Sequence, residues 1–569
     1  MKPIKITENF DNSINSPVVI GVCAPGDPRI DSASRERCRN IVENLAGILA
    51  EKLETSLNID LKVVYSTTLV DGERQADLVA KQFKSQGVNI IVCAPDTWAF
   101  PQLTLMSLMA HFPKNTPLNI TCGNSASRPG VVYAQALNGA FAQSGRLTHL
   151  NVGRWPDNGE NPQPSQETID SLVDWCYAAI AAVGLRGRRI VLFGHDSMGM
   201  ETALAHVLPT RNVYGIEITR LDMKLLSDIL TKGAYDKEEV KKLRAFVDKH
   251  IGIRLELPNS ESSEAFDKSL AMYIIIRDLL TELNAVGGGF MNQLEWGSDK
   301  RGITLPACDL AESLFNSDFD HNGKKAVMPF ATEADCQALL TQVFSSWLTG
   351  GNAPLFMDFR KVWDAKDLVN AADELKVQYT GDEIWATKGI VDGNNSGSAS
   401  LNWAAKQGAT VEEIMSKVSM PFADKDYFPG GGNSVTFVSP GGLKGIASRL
   451  AYSEVSGMFS MIWDEAETAD MPEKLAEFVR SSSDYNWPHT WVVPKYATMN
   501  EYKQFAPANH LHMIMDLKPA RLQYWMDLTN TLSVNEWTNR PKYIEAVDRP
   551  TPLLYLLNGG EDSTKKLLK

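Results

Sequence analysis

The stretch ATEADCQALLTQVFSSWLTGGNAPLFMDFR, residues 331–360, contains a predicted helix followed by a predicted strand. Apolar side chains recur at helical spacing through its first half, and a glycine pair marks the end of the helix. Thr332 is the predicted N-cap, which puts Glu333 in the first helical turn. The apolar run at 353–359 includes Asp358 and has the composition of a buried parallel strand. The stretch therefore predicts an α/β unit with one acid in each element.

The connectivity of this unit predicts that its two acids meet. A helix of about 17 residues covers roughly 25 Å, and a strand of about six residues covers roughly 20 Å, so the chain returns to the edge that it left. We expect Glu333 and Asp358 at the carboxyl edge of a sheet, where α/β proteins bind ligands. Two carboxylates at that edge suit Mg²⁺ or Mn²⁺. A chance pair is the alternative, because the chain has 69 Asp and Glu residues.

Length and charge exclude some classes of protein. A chain of 569 residues is too long for a single core, so several domains are expected. The net charge of −13 argues against a nucleic-acid partner. The substrate class has to come from motifs, because many enzymes carry a similar charge.

Cysteine usage and the N-terminal sequence predict a cytoplasmic location. The seven cysteines are an odd number and include no CxxC pair, which is typical of free thiols in a reducing compartment. No apolar segment of a secretory signal is visible at the N-terminus. No run of about 18 apolar residues predicts a membrane span, so we expect no membrane partner.

Predicted strands and helices alternate along the first 352 residues. Strands are predicted at Val18–Cys23, Leu61–Tyr65, 88–93, 119–121, 190–193 and 212–219, and helices at 41–53, 74–85, Gly130–Gln143, 168–183, 237–250 and 263–283. This alternation indicates doubly wound parallel sheets. After about residue 353, short apolar runs separated by glycine- and serine-rich loops indicate β structure. The predicted fold class is α/β, with two doubly wound parallel-sheet domains at 1–184 and 185–352 and a β-rich, barrel-like C-terminal domain at 353–569.

Several familiar catalytic and phosphate-binding motifs are absent. The loop GHDSMG at 194–199 does not fit the G-x-S-x-G elbow of serine hydrolases, because its glycine lies three residues before Ser197. The GGGF segment at 287–290 is expected to be a tight turn. Neither a P-loop nor a dinucleotide fingerprint occurs in the required setting. The sequence therefore predicts an unphosphorylated substrate and no nucleotide cofactor.

A series of motifs runs along the chain in the order found in one family. They are RPGVVY (128–133), SMG (197–199), GGGFMNQLEW (287–296), FNSDFDHNG (315–323), ATEAD (331–335), LFMDFR (355–360), NSGSA (395–399), YFPGGG (427–432), NWPHTW (486–491) and ANH (508–510). In these motifs the chain resembles the L-fucose isomerase family. The resemblance covers about residues 20–515, and the tail beyond matches poorly.

This resemblance implies a metal-dependent interconversion of an aldose and its ketose through an enediol. It implies that Glu333, Asp358 and His510 bind Mn²⁺, with Mg²⁺ or another divalent cation as an alternative. Glu333 and Asp358 are also implied as the acid and base. Because alternation places His512 on the same face of an extended run, it is the alternative ligand. The first candidate substrates are L-fucose and D-arabinose.

The resemblance also implies sugar contacts and an assembly. The residues expected to contact the sugar are Arg29, Trp98, Met198, Gln293, Ser396, Asn433, Trp487 and Asn509. The family is hexameric, and Arg29 and Trp98 would be lent to the pocket of a neighbouring subunit. Asn433 and Ala506 stand where the family has aromatic residues, while Trp487 and Trp491 remain to offer apolar faces to a sugar.

Two other functions stay open at this point. One is a sugar-binding protein that has lost catalysis, against which the complete set of Glu, Asp and His argues. The other is a metal-dependent hydrolase or aldolase, which would need an additional Lys or His base that the sequence does not identify.

Overall fold

The structure is a computed structural model that describes residues 17–534 apart from 125–127, 156–161, 195–198, 292–296, 299–302, 396–398, 424, 427 and 455. It forms two compact units, which divide between Arg186 and Gly187. The division into three domains stays a prediction. All seven cysteines are free and buried. Within the described ranges, no helix combines the length and the apolar character that a membrane crossing requires.

Unit 1, up to Arg186, alternates strands and helices as predicted. Its strands are β1 Val18–Cys23, β2 Leu61–Tyr65, β3 Ile90–Cys93, β4 Leu118–Gly123 and β5 His149–Gly153, and its helices are α1 Ser32–Lys52, α2 Glu73–Ser85, α3 Leu105–Met109, α4 Gly130–Gln143 and α5 Gln166–Gly184. The strands pair in parallel in the order β2-β1-β3-β4-β5. The order reverses between β1 and β3, and the loops that follow these two strands lie at the edge where doubly wound sheets bind ligands.

Unit 2, from Gly187, begins with a second α/β region. Its strands are β6 Arg189–Phe193, β7 Glu217–Leu221, β8 Ala285–Phe290, β9 Gly297–Ser298, β10 Ile303–Thr304, β11 Phe319–Asp320, β12 Gly323–Lys324 and β13 Phe330–Thr332. Its helices are α6 Val207–Tyr214, α7 Met223–Lys232, α8 Lys237–Ile251, α9 Ser260–Glu282, α10 Asp309–Phe315 and α11 Cys336–Leu348. Four of the strands form a parallel sheet in the order β13-β8-β6-β7.

Two sequence predictions in this region were wrong. The predicted strand at 212–219 starts inside helix α6, which ends at Tyr214, and strand β7 begins only at Glu217. The three glycines at 287–289 are not a turn but part of the central strand β8. Glycine is required there because a Cβ on Gly288 would lie 2.7 Å from the Phe330 ring, and one on Gly289 would lie 2.8 Å from the Ala331 carbonyl oxygen.

The rest of unit 2 contains a closed β-barrel. Its strands are β14 Leu355–Trp363, β15 Ile390–Asn394, β16 Lys444–Ser453, β17 Met458–Thr468, β18 His489–Pro494 and β19 His510–Met515, and β20 Leu532–Val534 adds to β17 in parallel. Its helices are α12 Ala365–Glu374, α13 Ile384–Lys388, α14 Val411–Met415, α15 Glu473–Ser481, α16 Met499–Phe505 and α17 Pro519–Thr529. Antiparallel pairing runs β16-β19-β14-β15-β18-β17 and closes through β16–β17. The predicted fold class, two parallel-sheet regions and a barrel, is confirmed.

The stretch from which the fold was predicted spans the junction between sheet and barrel. Residues 353–359 were expected to form a parallel strand, and that prediction was wrong. Strand β14 pairs antiparallel with both β15 and β19. Its first four residues are buried, and consecutive buried residues give a barrel strand the same apolar composition as a covered parallel strand.

Candidate active site

A strained turn after strand β13 presents Glu333. The backbone of Glu333 has φ +60° and that of Ala334 has φ +50°, so two consecutive non-glycine residues are left-handed. Such residues cost about 1–3 kcal/mol each and persist where the surrounding structure imposes them. Thr332, predicted as the N-cap, is instead the last residue of β13, and Asp335 caps helix α11. Glu333 thus lies in the turn before the helix rather than in its first turn.

Asp358 and His510 are neighbours because their strands pair. The two residues lie directly opposite each other in the register of β14 and β19. Opposite residues in an antiparallel pair have Cβ atoms about 5 Å apart, which brings their side chains into contact. The Phe356 ring lies 4.7 Å from the imidazole of His510, centroid to centroid, and packs beside it.

Three side chains converge at the Nε2 atom of His510. Asp358 Oδ1 lies 3.0 Å and Glu333 Oε2 lies 3.4 Å from it, and all three residues are buried. The Nε2 atom is solvent-inaccessible and makes no well-directed hydrogen bond to a described residue. The sheet edge and the barrel therefore bring together the three residues that were predicted as metal ligands.

These donors suit a divalent cation by their chemistry, and one pair, His510 Nε2 and Asp358 Oδ1 at 3.0 Å, also has the spacing of two ligands on one ion. Two ligands at right angles around an ion 2.1 Å away are about 3.0 Å apart, and carboxylate and imidazole donors suit Mn²⁺. In the described part of the chain, no three or more His, Cys, Asp or Glu side chains form a ready metal cage. Binding an ion therefore requires the three donors to adjust their positions.

The other ring nitrogen of His510 faces a buried acid that the sequence did not single out. His510 Nδ1 lies 2.6 Å from Asp335 Oδ2, and Arg449 donates to both oxygens of Asp335 at 2.8 and 3.1 Å. Burial alone would lower the pKa of His510, but the surrounding carboxylates, led by Asp358, raise it well above its usual value. Burial would raise the pKa of Asp335, but Arg449 and His510 hold it below its usual value.

His512, the alternative ligand, contacts a cation instead of the acids. Its Nε2 lies 3.3 Å from Nη1 of Arg449. Burial and the Arg449 charge lower the pKa of His512 well below its usual value. A neutral imidazole facing a guanidinium is not placed to bind a metal together with Glu333 and Asp358.

A second cation lies beside Asp358. Arg360 Nη2 is 3.5 Å from Asp358 Oδ2, and the guanidinium carbon lies 5.6 Å from the centroid of the Trp487 ring. Trp487 is buried, and its indole N–H donates to Asp309 Oδ2 at 3.0 Å. Arg360 therefore connects the predicted catalytic carboxylate to a predicted sugar-contact residue, although the sequence argument did not mention it.

Two other predicted contact residues have clear partners in unit 2. Asn509 is exposed, its backbone carbonyl accepts from Phe359 N–H at 2.7 Å, and it directly precedes His510. Asn433 is buried and donates its amide hydrogens to the backbone carbonyls of Glu256 at 2.9 Å and Met420 at 3.0 Å. The amide of Asn433 is thus used to tie two backbone segments together.

Arg29 and Trp98 lie together at the carboxyl edge of the sheet in unit 1. Arg29 is exposed and bonds to Asp27 at 2.6 Å, and this bond lowers the pKa of Asp27 to about 2. Its guanidinium carbon lies 5.6 Å from the Phe100 ring centroid, and Phe100 packs edge-on against half-buried Trp98. Arg29 and Trp98, which were predicted to contribute to the pocket of a neighbouring subunit, therefore form one cluster with Phe100.

Three predicted contact residues, Met198, Gln293 and Ser396, lie outside the described residues. Three functional candidates were missed: Asp335, Arg360 and Arg449. Asp335 and Arg360 belong to the quoted motifs ATEAD and LFMDFR, so a closer reading of the motifs could have found them. Arg449 has no local signal, because it reaches Asp335 across 114 residues of sequence.

A cavity elsewhere in unit 2 does not include the acids. It has a volume of about 570 Å³ and lies at ends of barrel strands, with Lys388, Lys444, Lys495 and Lys518 in its lining. Glu465 and Glu467 also line it. The chemistry of Glu333, Asp358 and His510, rather than the size of this cavity, identifies the candidate site.

Two family models match adjacent parts of the chain. A family model described as the first N-terminal domain of L-fucose isomerase matches residues 17–187, and one described as the second N-terminal domain matches residues 189–350. Both boundaries lie close to element boundaries of the fold, because helix α5 ends at Gly184 and the run before strand β14 starts after 350.

Curated relatives extend the match into the barrel. The L-fucose isomerase of Vibrio vulnificus (strain YJ016) is 26% identical over 531 residues, which span 85% of this chain and 86% of that protein. The L-fucose isomerase of Bacteroides fragilis (strain YCH46) is 25% identical over 512 residues, spanning 82% and 83%. That of Escherichia coli O17:K52:H18 is 25% identical over 500 residues, spanning 81% of each chain. The chain belongs to the L-fucose isomerase family.

Proposed function

We propose that the protein is a Mn²⁺-dependent isomerase of a free aldose, with L-fucose and D-arabinose as the first candidate substrates. Membership of the family makes it an aldose–ketose isomerase, which is an intramolecular oxidoreductase. The observation that carries the proposal is the convergence of Glu333 and Asp358 on His510 Nε2 within 3.4 Å. Mg²⁺ or another divalent cation is the alternative to Mn²⁺.

The two carboxylates supply the proton transfers. One removes the C2 proton of the open-chain aldose while the C1 carbonyl oxygen gains a proton, which gives the enediol. The return of a proton to C1, with loss of the proton on the C2 oxygen, gives the ketose. Glu333 and Asp358 are the groups placed for these transfers, and a carboxylate that also holds the metal uses its remaining oxygen as the base.

Glu333, Asp358 and His510 would hold the metal. When bound, a divalent cation would act as a Lewis acid on the carbonyl and the adjacent hydroxyl of the sugar. The residues around it have their own tasks: Arg360 offsets the negative charge of Asp358, and exposed Asn509 offers an amide to sugar hydroxyls. Ala506 leaves space where the family has an aromatic side chain, which favours a sugar that differs at its C4–C6 end.

We expect a hexameric assembly in the cytoplasm. The family resemblance supports the hexamer, and the free, buried cysteines are typical of a reducing compartment. In the hexamer, Arg29 and Trp98 would complete the pocket of a neighbouring subunit. Light scattering that gives a fully active monomer would contradict the assembly without affecting the proposed chemistry.

The decisive experiment follows the C2 proton. The protein is incubated in D₂O with Mn²⁺ and a panel of aldopentoses, aldohexoses and 6-deoxy sugars, and loss of the C2–H signal is monitored by NMR. We expect exchange and ketose formation that disappear with EDTA and in Asp358→Asn. If metal and sugar bind but no aldose exchanges, the protein is a sugar-binding member of the family and the proposed isomerisation is wrong.

A further inference from the structure

We propose that Asp335, held by Arg449, is the positioning residue that sets the orientation and tautomer of the metal-binding His510. This inference deepens the proposed function and rests on it, because it concerns the same site. Asp335 contacts neither substrate nor the reacting atoms; it acts through the imidazole of His510.

The contacts of Asp335 are fully occupied and well directed. Its Oδ2 accepts from His510 Nδ1 at 2.6 Å and from Arg449 Nη1 at 2.8 Å. Its Oδ1 accepts from Arg449 Nη2 at 3.1 Å and from the Ala338 N–H of helix α11 at 2.8 Å. A carboxylate with four donors has no freedom to rotate, so the imidazole that is bonded to it has a fixed plane.

This bond decides which nitrogen of His510 is available for a ligand. A carboxylate oxygen accepts and cannot donate, so Asp335 requires the hydrogen of a neutral imidazole to be on Nδ1. The lone pair is then on Nε2, the atom that faces Glu333 and Asp358. Carboxylates that orient metal-binding histidines in this way contribute strongly to metal affinity.

Arg449 fixes Asp335 from the barrel wall. It lies on strand β16, is itself buried, and also donates to the carbonyl oxygen of Thr202 at 2.5 Å. Its charge balances that of Asp335 in a site that already contains Glu333 and Asp358. Without Arg449, the buried carboxylate of Asp335 would have no positive charge to balance it next to the metal ligands.

A second buried pair in the same barrel provides the matched control. His489 Nδ1 lies 3.0 Å from Asp392 Oδ1, and both residues are fully buried. The Nε2 of His489, however, lies 3.1 Å from the backbone carbonyl oxygen of Asp484. The bond of Asp392 to His489 therefore holds the fold and presents no ligand.

The test compares Asp335→Asn with Asp392→Asn by Mn²⁺ affinity without sugar, measured from the EPR signal of free Mn²⁺. Asparagine is also a good N-cap, so Asp335→Asn keeps helix α11 capped. Its amide nitrogen then faces Nδ1 as a donor, which moves the ring hydrogen to Nε2 and blocks the ligand position. We expect Asp335→Asn to weaken Mn²⁺ binding about 10–100-fold, while Asp392→Asn binds Mn²⁺ like wild type.

A double variant separates positioning from a general effect on the fold. If Asp335 acts through the imidazole, Asp335→Asn should weaken Mn²⁺ binding no further in a His510→Gln background. A purely structural role would give additive losses together with a lower Tm. Arg449→Lys is the second variant. It keeps the charge but loses the bidentate guanidinium, and we expect a smaller loss of Mn²⁺ affinity than for Asp335→Asn.

The outcomes distinguish the inference from the proposed function. Equal Mn²⁺ affinity in wild type and Asp335→Asn overturns the inference, as do equal losses in Asp335→Asn and Asp392→Asn. Should Asp335→Asn not fold, wild-type affinity in Arg449→Lys overturns it. Wild-type protein that binds Mn²⁺ but isomerises no aldose overturns the proposed function alone, and the affinities still decide the role of Asp335. Wild-type protein that binds no Mn²⁺ overturns both.

Discussion

Unit 2 contains two buried histidine–aspartate pairs, each with its histidine on a barrel strand. In both pairs the Nδ1 atom of the histidine lies within 3.0 Å of a carboxylate oxygen, and both imidazoles are fully buried. His489 turns its Nε2 to a backbone carbonyl. His510 turns its Nε2 to two more acids, Glu333 and Asp358.

This difference separates a structural pair from a functional one. An acceptor oxygen lies within hydrogen-bond distance of each ring nitrogen of His489, so the hydrogen-bonding environment of His489 is complete. Two carboxylates around His510 concentrate negative charge at a buried point, and such concentration is stabilising only if a cation is present. Sequence type alone cannot make this distinction, because each pair consists of one histidine and one aspartate.

The largest expected effect is on catalysis. Asp358→Asn removes a proposed base and metal ligand, and we expect kcat to fall about 10²–10⁴-fold. Asp392→Asn changes an equally buried acid that is bonded to His489, and we expect kcat to remain within about threefold of wild type, as for sites outside the chemistry. Steady-state rates of ketose formation with saturating Mn²⁺ provide the measurement. Equal losses in the two variants would remove the functional distinction between the pairs.

The next effect is on stability in the presence of metal. An ion that binds only the folded state adds about 2.7 kcal/mol at a concentration one hundred times its Kd. Mn²⁺ should therefore raise the Tm of wild type and of Asp392→Asn. Glu333→Gln lacks one charged ligand, and we expect the shift in Tm to disappear. Scanning calorimetry with and without EDTA tests this, and an unchanged shift in Glu333→Gln would show that the metal binds elsewhere.

The difference between the two pairs also shows how far the sequence could be interpreted. The convergence of Glu333 and Asp358 was expected, but for a wrong reason. Asp358 was predicted on a parallel strand of the same sheet, whereas it lies on barrel strand β14 opposite His510. The buried start of β14 has the same composition in either setting, so composition could not separate them.

Local features of unit 1 were easier to predict than the long-range contacts of unit 2. Strand Leu61–Tyr65 and helix Gly130–Gln143 have the predicted bounds, because hydrophobic periodicity is a local signal. The bond between Asp335 and Arg449 joins the sheet edge to the barrel wall, and no periodicity encodes such a contact. The glycines at 287–289 suggested a turn, since their close packing against Phe330 and Ala331 is visible only in three dimensions.

Asp309 is a further buried acid in unit 2, and its raised pKa predicts that stability depends on pH. Burial raises the pKa of Asp309 to about 7 from 3.8, although hydrogen bonds from Ser434 and Trp487 act in the opposite direction. Between these pH values the folded state keeps the proton that the unfolded state has lost. The contribution of Asp309 to the free energy of unfolding therefore falls as pH rises through this window, by on the order of 2–4 kcal/mol, and is constant above it.

Asp309→Asn should remove this dependence. Its amide oxygen can still accept from the Trp487 indole, so the variant should gain stability relative to wild type at pH 8 and show little difference near pH 4. Urea unfolding at both pH values, with EDTA present, is the measurement. Asp392→Asn is again the control. Asp392 is bonded to His489 and Ser483, and the substitution changes these bonds at either pH, so its effect on stability should be the same at both. A gain of equal size at both pH values would assign the effect to packing.

The smallest effect concerns the exposed cation beside the site. Arg360 Nη2 lies 3.5 Å from Asp358 Oδ2, and its Nε donates to the carbonyl oxygen of Asn394 at 3.3 Å. The guanidinium thus holds one oxygen of Asp358 away from His510 and leaves the other facing it. Arg360→Met keeps the contact with the Trp487 face but loses the charge, and we expect kcat/KM to fall about tenfold, which equals about 1.4 kcal/mol.

Lys361→Met provides the control for this last change. Lys361 is the next residue on strand β14, carries the same charge, and contacts the Trp363 ring at 5.6 Å. Its ammonium lies over the Trp363 ring rather than the Trp487 ring, so it should affect neither kcat nor KM. If both variants lose activity equally, the net charge of the strand matters rather than the guanidinium. If only Arg360→Met loses it, and Mn²⁺ affinity is unchanged, the cation acts on Asp358 and the sugar, whereas Asp335 acts on the metal through His510.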